Sequence, residues 1–327
     1  MTDLKALLIL PRLRVQSANA VSGPLTWGFP SPTAFTGFAH ALERKLGSLL
    51  EEGFEGVGII CHRFEPQVFQ PPSGYKYTPY VFCLTRNPVD KDGSTSALVE
   101  EGRAHLEVTL VIGVKDDFYP EDLIHLPQRM MEAVLSMRLA GGSILPQRPG
   151  KRYAPEILTL AADAAGQQKQ FRDLKRNFLP GFALTLRDDK LRLALESLRE
   201  QHPDATALDA LLDLSRLNIE PGEPSEAHPE QVEWSVRKRE GWLVPLPIGY
   251  AGLSELYLPG EVLNVRDADT PFRFVESIYS IGEWVSPHRF TSFQQLLWHT
   301  QADAEQGIYR CINRYTDYLN DATDGIA

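Results

Sequence analysis

Residues 31 to 47, SPTAFTGFAHALERKLG, constrain the fold more than any other stretch of this chain. Ser31 is a helix N-cap residue and Pro32 suits the first helical position, where a missing N–H costs nothing. Phe35, Phe38, Leu42 and Leu46 then recur at helical spacing and Gly47 supplies the stop, so the segment reads as one helix with one buried side. The neighbouring runs are extended. Lys5 to Leu10 reads as a buried strand broken by Pro11, Val57 to Phe64 and Tyr80 to Leu84 as two more strands, and Ala104 to Val114 as the strongest strand signal in the chain. An amphipathic segment from Glu121 to Leu139, with a kink expected at Pro127, leads into Gly141-Gly142-Ser143 and the apolar pair Ile144-Leu145. Strand, helix, strand, inserted hairpin, strand, helix, strand is the order of an α+β unit of the ferredoxin-like, RRM type. Such a unit leaves one sheet face available for RNA.

Beyond this unit, Gln167 to Leu217 turns helical in period, with breaks at Pro180-Gly181 and His202-Pro203. Between Lys169 and Arg192, the residues Lys169, Arg172, Lys175, Arg176, Arg187, Lys190 and Arg192 face only Asp173, Asp188 and Asp189, making it the most basic helical stretch. Glu220 to Glu233 is acidic and interrupted by prolines. Trp234 to Pro247 and Phe272 to Val285 read as strands, and Phe293 to Trp298 as a helix or buried turn. The predicted organisation is therefore an RRM-like core with an inserted hairpin (1–165), a helical insertion (166–220), an acidic Pro-rich linker (221–233), and C-terminal strands and a helix that complete the core (234–327).

Composition excludes several classes. The net charge of -10 argues against a protein that coats nucleic acid over its whole surface, since that binding rests on neutralising phosphates. A confined site stays open, because Leu4 to Leu42 holds no Asp or Glu. With Cys61, Cys83 and Cys311 widely spaced and no CxxC pair, neither a disulfide framework nor a zinc site is expected, and no cofactor is called for. No apolar run reaches the roughly 18 residues that would span a bilayer, and the start is unlike a signal peptide. A soluble bacterial cytoplasmic protein without a membrane partner is expected.

Within the acid-free window, Trp27 and Phe29 lie in a Gly/Pro-punctuated loop and could stack on unpaired bases, while Arg12, Arg14, Asn19, Ser22, Thr26, Ser31, Thr33 and Thr36 offer donors to phosphates and base edges. The bland alternative is core packing and turn formation. The free N–H groups of a helix starting at Ser31 would favour an anion. Arg86 and Asn87 close a strand before Pro88, and Arg103 and His105 share one face of the Ala104 to Val114 strand, opposite Leu106, Val108 and Leu110. Gly141-Gly142 alone reads equally as a helix stop. Trp242, Trp284 and Trp298 are mostly core, with Trp284, His288 and Arg289 as candidates for a protein interface. No G-x-S-x-G elbow, H-E-x-x-H or P-loop occurs, so no catalytic residue is assigned, although His40, His62, His105 and His288 leave a metal-independent ribonuclease conceivable.

The Pro24 to Leu42 stretch, together with Gly56-Val57-Gly58-Ile59-Ile60-Cys61-His62, Leu84-Thr85-Arg86-Asn87-Pro88, Arg138-Leu139-Ala140-Gly141-Gly142-Ser143-Ile144, Gly241-Trp242-Leu243-Val244-Pro245 and Glu283-Trp284-Val285-Ser286-Pro287-His288-Arg289, resembles the second subunit of the Csy complex, the CRISPR type I-F surveillance particle of antiviral defence. The matching blocks run in one order from Leu7 to about Arg310. The resemblance implies the RAMP fold and a non-catalytic subunit that holds the 5' handle of crRNA. It also implies a tight pair with the large subunit that reads the protospacer-adjacent motif, contact with the adjacent backbone subunit, and target DNA met only through the assembled complex. Gly141, Gly142 and Ser143 resemble the glycine-rich loop of RAMP proteins, where bare backbone approaches phosphate. The handle pocket expected on this basis uses Arg12, Asn19, Trp27, Phe29, Ser31, Thr33, Arg86, Asn87, Arg103 and Arg138, with Lys175 and Arg176 on an adjoining RNA or target-DNA path. An endoribonuclease that processes repeat RNA, and a purely protein-bridging subunit, are the alternatives.

Overall fold

The computed structural model describes residues 4–72, 79–85, 89–90, 92–222, 232–265 and 267–318. In chain order the elements begin with β1 (Ala6–Asn19), the short ribbon β2 (Val21–Gly23) and β3 (Thr26–Trp27), α1 (Pro32–Leu46) and β4 (Phe54–Pro66). A side ribbon of β5 (Val68–Phe69), β6 (Val81–Thr85) and β7 (Val99–Glu101) precedes β8 (Arg103–Val114), α2 (Asp122–Leu135), β9 (Arg138–Leu139), β10 (Gly142–Ile144) and β11 (Glu156–Thr159). There follow α3 (Ala164–Leu174), β12 (Phe182–Leu186), α4 (Asp188–Gln201), α5 (Ala207–Ser215), the ribbon β13 (Ile219–Pro221) with β14 (Trp234–Val236), β15 (Leu243–Gly252), β16 (Val275–Val285), β17 (Leu297–Asp303) and β18 (Ile308–Asn313).

Among the described residues, eleven strands form one antiparallel sheet in the order β12-β16-β15-β18-β17-β4-β8-β1-β10-β9, with β11 also paired to β1. The sheet curls until β12 meets β4, through Phe182 opposite Cys61 and Ala183 opposite Ile60, so six strands close into a ring. α1 and α2 pack on one face. Phe35, Phe38, Leu42, Met130, Met131 and Val134 meet Leu8, Leu10, Val57, Ile59, Val108, Leu110 and Ile112, and the same core takes in Leu184, Leu246, Trp298 and Cys311 from the ring. At roughly 25 cal/mol per Å² of apolar area, this burial is the main term holding the layers together.

The helix over residues 32–46 stands as the sequence predicts. Ser31 accepts from the Thr33 N–H, Pro32 opens the first turn, and Gly47 closes it at φ 54°. Five other readings are corrected. Pro11 does not end β1, because the strand absorbs it at a β-bulge: Arg12 sits at φ 48° and Ser17 at φ 54°, and each extra residue resets the alternation, so that Leu10, Leu13, Val15 and Ala18 all reach one core. Gly141-Gly142 is neither a helix stop nor an open loop. Helix α2 ends at Leu135, and Ala140 and Gly141, both at positive φ, form the two-residue turn of the β9–β10 hairpin. The stretch read as helical contains β12, whose apolar Phe182-Ala183-Leu184 pairs β16 and β4. The Trp234 to Pro247 run is likewise two strands, and β16 starts at Val275 rather than Phe272. Residues 223–231 of the acidic linker lie outside the described residues.

The sheet face opposite α1 and α2 is only half open. Leu7, Ile9, Ile60 and Val111 on that face are buried under Phe171, Leu174, Phe178, Phe290 and Phe293, forming a second core. Farther along the same strands the alternation places Arg14, Gln16, Arg63, Glu65, His105 and Glu107 there instead. An apolar half fastens α3 and a polar half faces solvent.

Candidate functional site

The polar half of the sheet is organised around Glu107. Arg12 Nη1 donates to its Oε1 at 2.8 Å, and Arg148 Nη1 lies 3.3 Å from Oε2. Burial pulls the Glu107 carboxyl upward, but the Arg12 hydrogen bond and the two guanidinium charges outweigh it and hold the group below the ordinary carboxylate range. Arg12 also donates to the Leu179 carbonyl at 3.2 Å, a carbonyl that Arg152 reaches at the same distance. Its side chain is only 9% exposed. The guanidinium expected to contact RNA is thus committed to the protein, because the bulge at Arg12 turns it along the sheet toward Glu107.

A hydrogen-bonded chain runs beneath. The Arg12 N–H donates to Thr109 Oγ1 at 3.0 Å, Thr109 donates to His62 Nε2 at 2.7 Å, and His62 Nδ1–H donates to the Pro180 carbonyl at 2.7 Å. The carbonyl can only accept, which fixes the tautomer. Desolvation, reinforced by the Arg12 charge, lowers the His62 pKa to about 4 despite the Pro180 contact, so the ring is neutral at ordinary pH. His105 accepts from the Ser17 N–H at 3.2 Å and its other nitrogen faces Gln67; His288 is held by Ser286 at 2.7 Å.

Two grooves lie on this face, and an aromatic cleft on the helix side of the sheet adjoins one of them at Arg63. A groove of about 780 Å³ passes Arg12, Thr109, Lys151, Arg152, Arg176 and Leu179. A shallower one of about 270 Å³ passes Arg14, Gln16, Arg63, Glu65, His105, Glu107 and Arg148. The cleft, of about 530 Å³, is lined by Trp27, Phe29, Phe64, Phe182, Trp242 and Trp284, with Thr26, Cys61, His62 and Arg63. Burial pushes the Cys61 thiol up to about 12, so it stays protonated there. Across the two polar grooves Arg12, Arg14, Arg63, Arg148, Lys151, Arg152 and Arg176 face Glu65, Glu107 and Glu156, a local cationic excess on a protein of net charge -10.

The sequence-predicted residues fall into separate groups. Asn19, Arg103, Arg138, Gly141, Gly142 and Ser143 come together at one end of β1: Asn19 is opposite Arg103, its N–H donates to the Ala140 carbonyl at 2.8 Å, and Ser143 is opposite Gln16. Arg103 is paired with Glu101 at 2.8 Å, and Arg138 donates to the Gly141 carbonyl at 3.2 Å. Trp27, Phe29 and Trp284 meet in the aromatic cleft, where Phe29 stacks on Phe35 at 5.5 Å and meets Trp284 edge-on at 4.8 Å. Ser31 is buried and its hydroxyl donates to the Pro247 carbonyl at 2.7 Å, with Thr33 Oγ1 2.8 Å away, so strand β15 rather than an open anion seat abuts the α1 N-terminus. Lys175 is corrected: its ammonium caps the His288 and Phe290 carbonyls at 3.1 and 2.8 Å and so fastens the turn carrying His288 and Arg289, whereas Arg176 remains 74% exposed on the groove. Arg86 and Asn87 lie outside the described residues. Sequence reasoning missed Arg148, Lys151 and Arg152. The signal for them was the basic, Pro/Gly-interrupted run Gln147-Arg148-Pro149-Gly150-Lys151-Arg152.

No helix among the described residues is long and apolar enough to cross a membrane. Residues 8–311 match the family model described as CRISPR-associated protein (Cas_Csy2). The chain is 53% identical over 315 residues to the CRISPR-associated protein Csy2 of Pseudomonas aeruginosa (strain UCBPP-PA14), covering 94% of this chain and 95% of that protein. The resemblance read from the dispersed sequence blocks is therefore borne out, and the chain belongs to the Csy2 family of CRISPR-associated proteins.

Proposed function

We propose that this protein is a non-catalytic subunit of the type I-F Csy complex that holds the single-stranded 5' handle of crRNA across the open half of its sheet, pairs with the large motif-reading subunit and abuts the adjacent backbone subunit. The observation that carries the reading is the concentration of seven cationic side chains, Arg12 held by Glu107 among them, along the two polar grooves of an acidic protein. Strand order β4-β8-β1-β10, with α1 and α2 on one face, supports a ferredoxin-like core of the RAMP kind, in which the face away from the helices takes RNA. Arg14, Arg63, Arg148, Lys151, Arg152 and Arg176 neutralise phosphates, while Asn19, Arg103, Arg138 and the β9–β10 turn with Gly141, Gly142 and Ser143 border the far end of the path. Arg12 and Glu107 hold that surface in register. His62, His105 and His288 are each engaged by the protein, and His62 is neutral and half-buried, which supports a binding role over cleavage.

The test is co-purification of the complex with a CRISPR array, comparing the native chain with a Lys151→Ala/Arg152→Ala variant. The variant should assemble but hold crRNA more weakly, and its affinity for a handle oligoribonucleotide should depend less steeply on salt, by roughly 0.7 in log–log slope per lost phosphate contact. Unchanged crRNA content and an unchanged salt slope would leave the protein as a bridge between protein partners.

A further inference from the structure

The aromatic cleft has a role that phosphate binding does not use. Its floor is Phe29 and Trp284, packed edge to face at 4.8 Å, and its rim is Trp27, Trp242 and Phe182, which are 50%, 57% and 42% exposed. Trp242 and Phe182 meet at 5.4 Å, so two exposed rings, one just ahead of β15 and one on β12, hold each other upright. Exposed indoles are costly unless something covers them. We infer that the cleft is the slot for one extruded base of the bound RNA, stacked against Trp242 and Trp27.

Two observations favour a base over a peptide. Arg63 lines both this cleft and the cationic groove beside it, so a strand whose phosphates follow Arg14, Arg63 and Arg148 passes the cleft mouth. Thr26 Oγ1 in the wall is buried and has no hydrogen-bond partner among the described residues, a polar atom suited to a base edge rather than to an apolar side chain. Stacking of this kind tolerates any base while the Thr26 hydroxyl supplies a preference.

The assignment rests on the RNA-binding reading above, and the experiment separates the two. The full chain co-purified with its complex subunits but without a CRISPR array is titrated with handle oligoribonucleotide at several salt concentrations, as native protein and as Trp242→Ala, Trp242→Phe and Lys151→Ala/Arg152→Ala variants. Complexes carrying crRNA are cross-linked with ultraviolet light and the linked peptides sequenced. Trp242→Ala should lose about 5- to 100-fold in affinity, the worth of one base–aromatic stack, at an unchanged salt slope. Trp242→Phe should recover most of it, and one handle nucleotide should cross-link to the peptide carrying Trp242 or Trp27. Native affinity and no such cross-link for a normally melting Trp242→Ala protein, with the Lys151→Ala/Arg152→Ala effect intact, would overturn the base slot and leave RNA binding standing. Loss of a protein subunit from the Trp242→Ala complex at native RNA affinity would overturn it in favour of a protein contact. No RNA affinity in the native preparation would defeat both readings.

Discussion

Replacing Arg12 with alanine separates a structural cation from an RNA-binding one. Its guanidinium is 9% exposed and bridges Glu107 at 2.8 Å and the Leu179 carbonyl at 3.2 Å, so it ties β1 to β8 and to the segment that leads into β12. Breaking a buried ion pair costs roughly 3 to 5 kcal/mol when the remaining charge is stranded. Here Glu107 is not stranded, because Arg148 stays 3.3 Å away, so about 2 kcal/mol is expected for Arg12→Ala. Glu107→Ala should cost more, about 3 kcal/mol, since it leaves a nearly buried guanidinium with a carbonyl as its remaining partner. For a chain of this length those losses lower the melting temperature by roughly 3 to 4 °C. Thermal melting of both single variants and the double variant gives the coupling, expected at about 1.5 to 2 kcal/mol. Handle affinity and its salt slope, measured well below the melting point, should change less than twofold. A native melting temperature for Arg12→Ala, with the salt slope reduced by the value of one phosphate contact, would show that Arg12 faces RNA and that the Glu107 pair contributes nothing.

Three further outcomes follow from the packing. Trp298 is fully buried and its indole N–H donates to the Leu184 carbonyl at 2.8 Å, so denaturant titration should give a loss of about 3 to 5 kcal/mol for Trp298→Ala and about 1 to 2 kcal/mol for Trp298→Phe, which keeps a ring but orphans the carbonyl. Gly249 lies so close to β18 that an added Cβ would fall 2.0 Å from the Tyr309 carbonyl, and Gly249→Ala should therefore destabilise by about 2 kcal/mol or yield little folded protein; a native-like melt would refute the close approach. Desolvation and the Arg12 charge depress His62 to about 4, so between its ordinary value near 6.5 and about 4 the unfolded chain binds a proton that the folded one refuses. Stability is then full above pH 6.5 and falls by at most about 3 kcal/mol as pH drops toward 4, a decline that His62→Gln should flatten.

The parts of the fold legible in the sequence were those fixed within one turn or one strand. Ser31, Pro32 and Gly47 mark a helix by local chemistry alone, and β8 announces itself by seven buried residues in a row from Val108 onward, broken only by Thr109 and Gly113 in type. The bulges in β1 were not legible, because a Pro followed by a shifted apolar phase looks the same whether the strand stops or resets, and the deciding bond is from Arg12 to Thr109, 97 positions away. β12 was hidden for a similar reason: its five residues are too short to show a period, and only β16 and β4 make them a strand. At the site, the aromatic segment with Trp27 and Phe29 was readable because its Gly and Pro residues exclude a helix or a long strand. The inward turn of Arg12 and Lys175 was not, since charge in a sequence does not reveal which carbonyl or carboxylate will claim it. The run from Arg148 to Arg152 was readable in principle and gained meaning only when β11 brought it beside β1.

The contact between β12 and β4 also sets an order of events during synthesis. β4 needs three neighbours: β8 comes next in the chain, but the pairing of Val57 and Gly58 waits for Leu297 and Trp298. At roughly 5 to 20 residues per second, the stretch from β4 to β17 takes on the order of 10 to 50 s to emerge from the ribosome. Throughout that interval one margin of β4 offers bare backbone amides and carbonyls to any passing extended chain, and β12 alone can cover the outer part of it early. The nascent protein therefore passes through a sticky stage that the finished ring conceals, and truncations that remove β17 would hold it there.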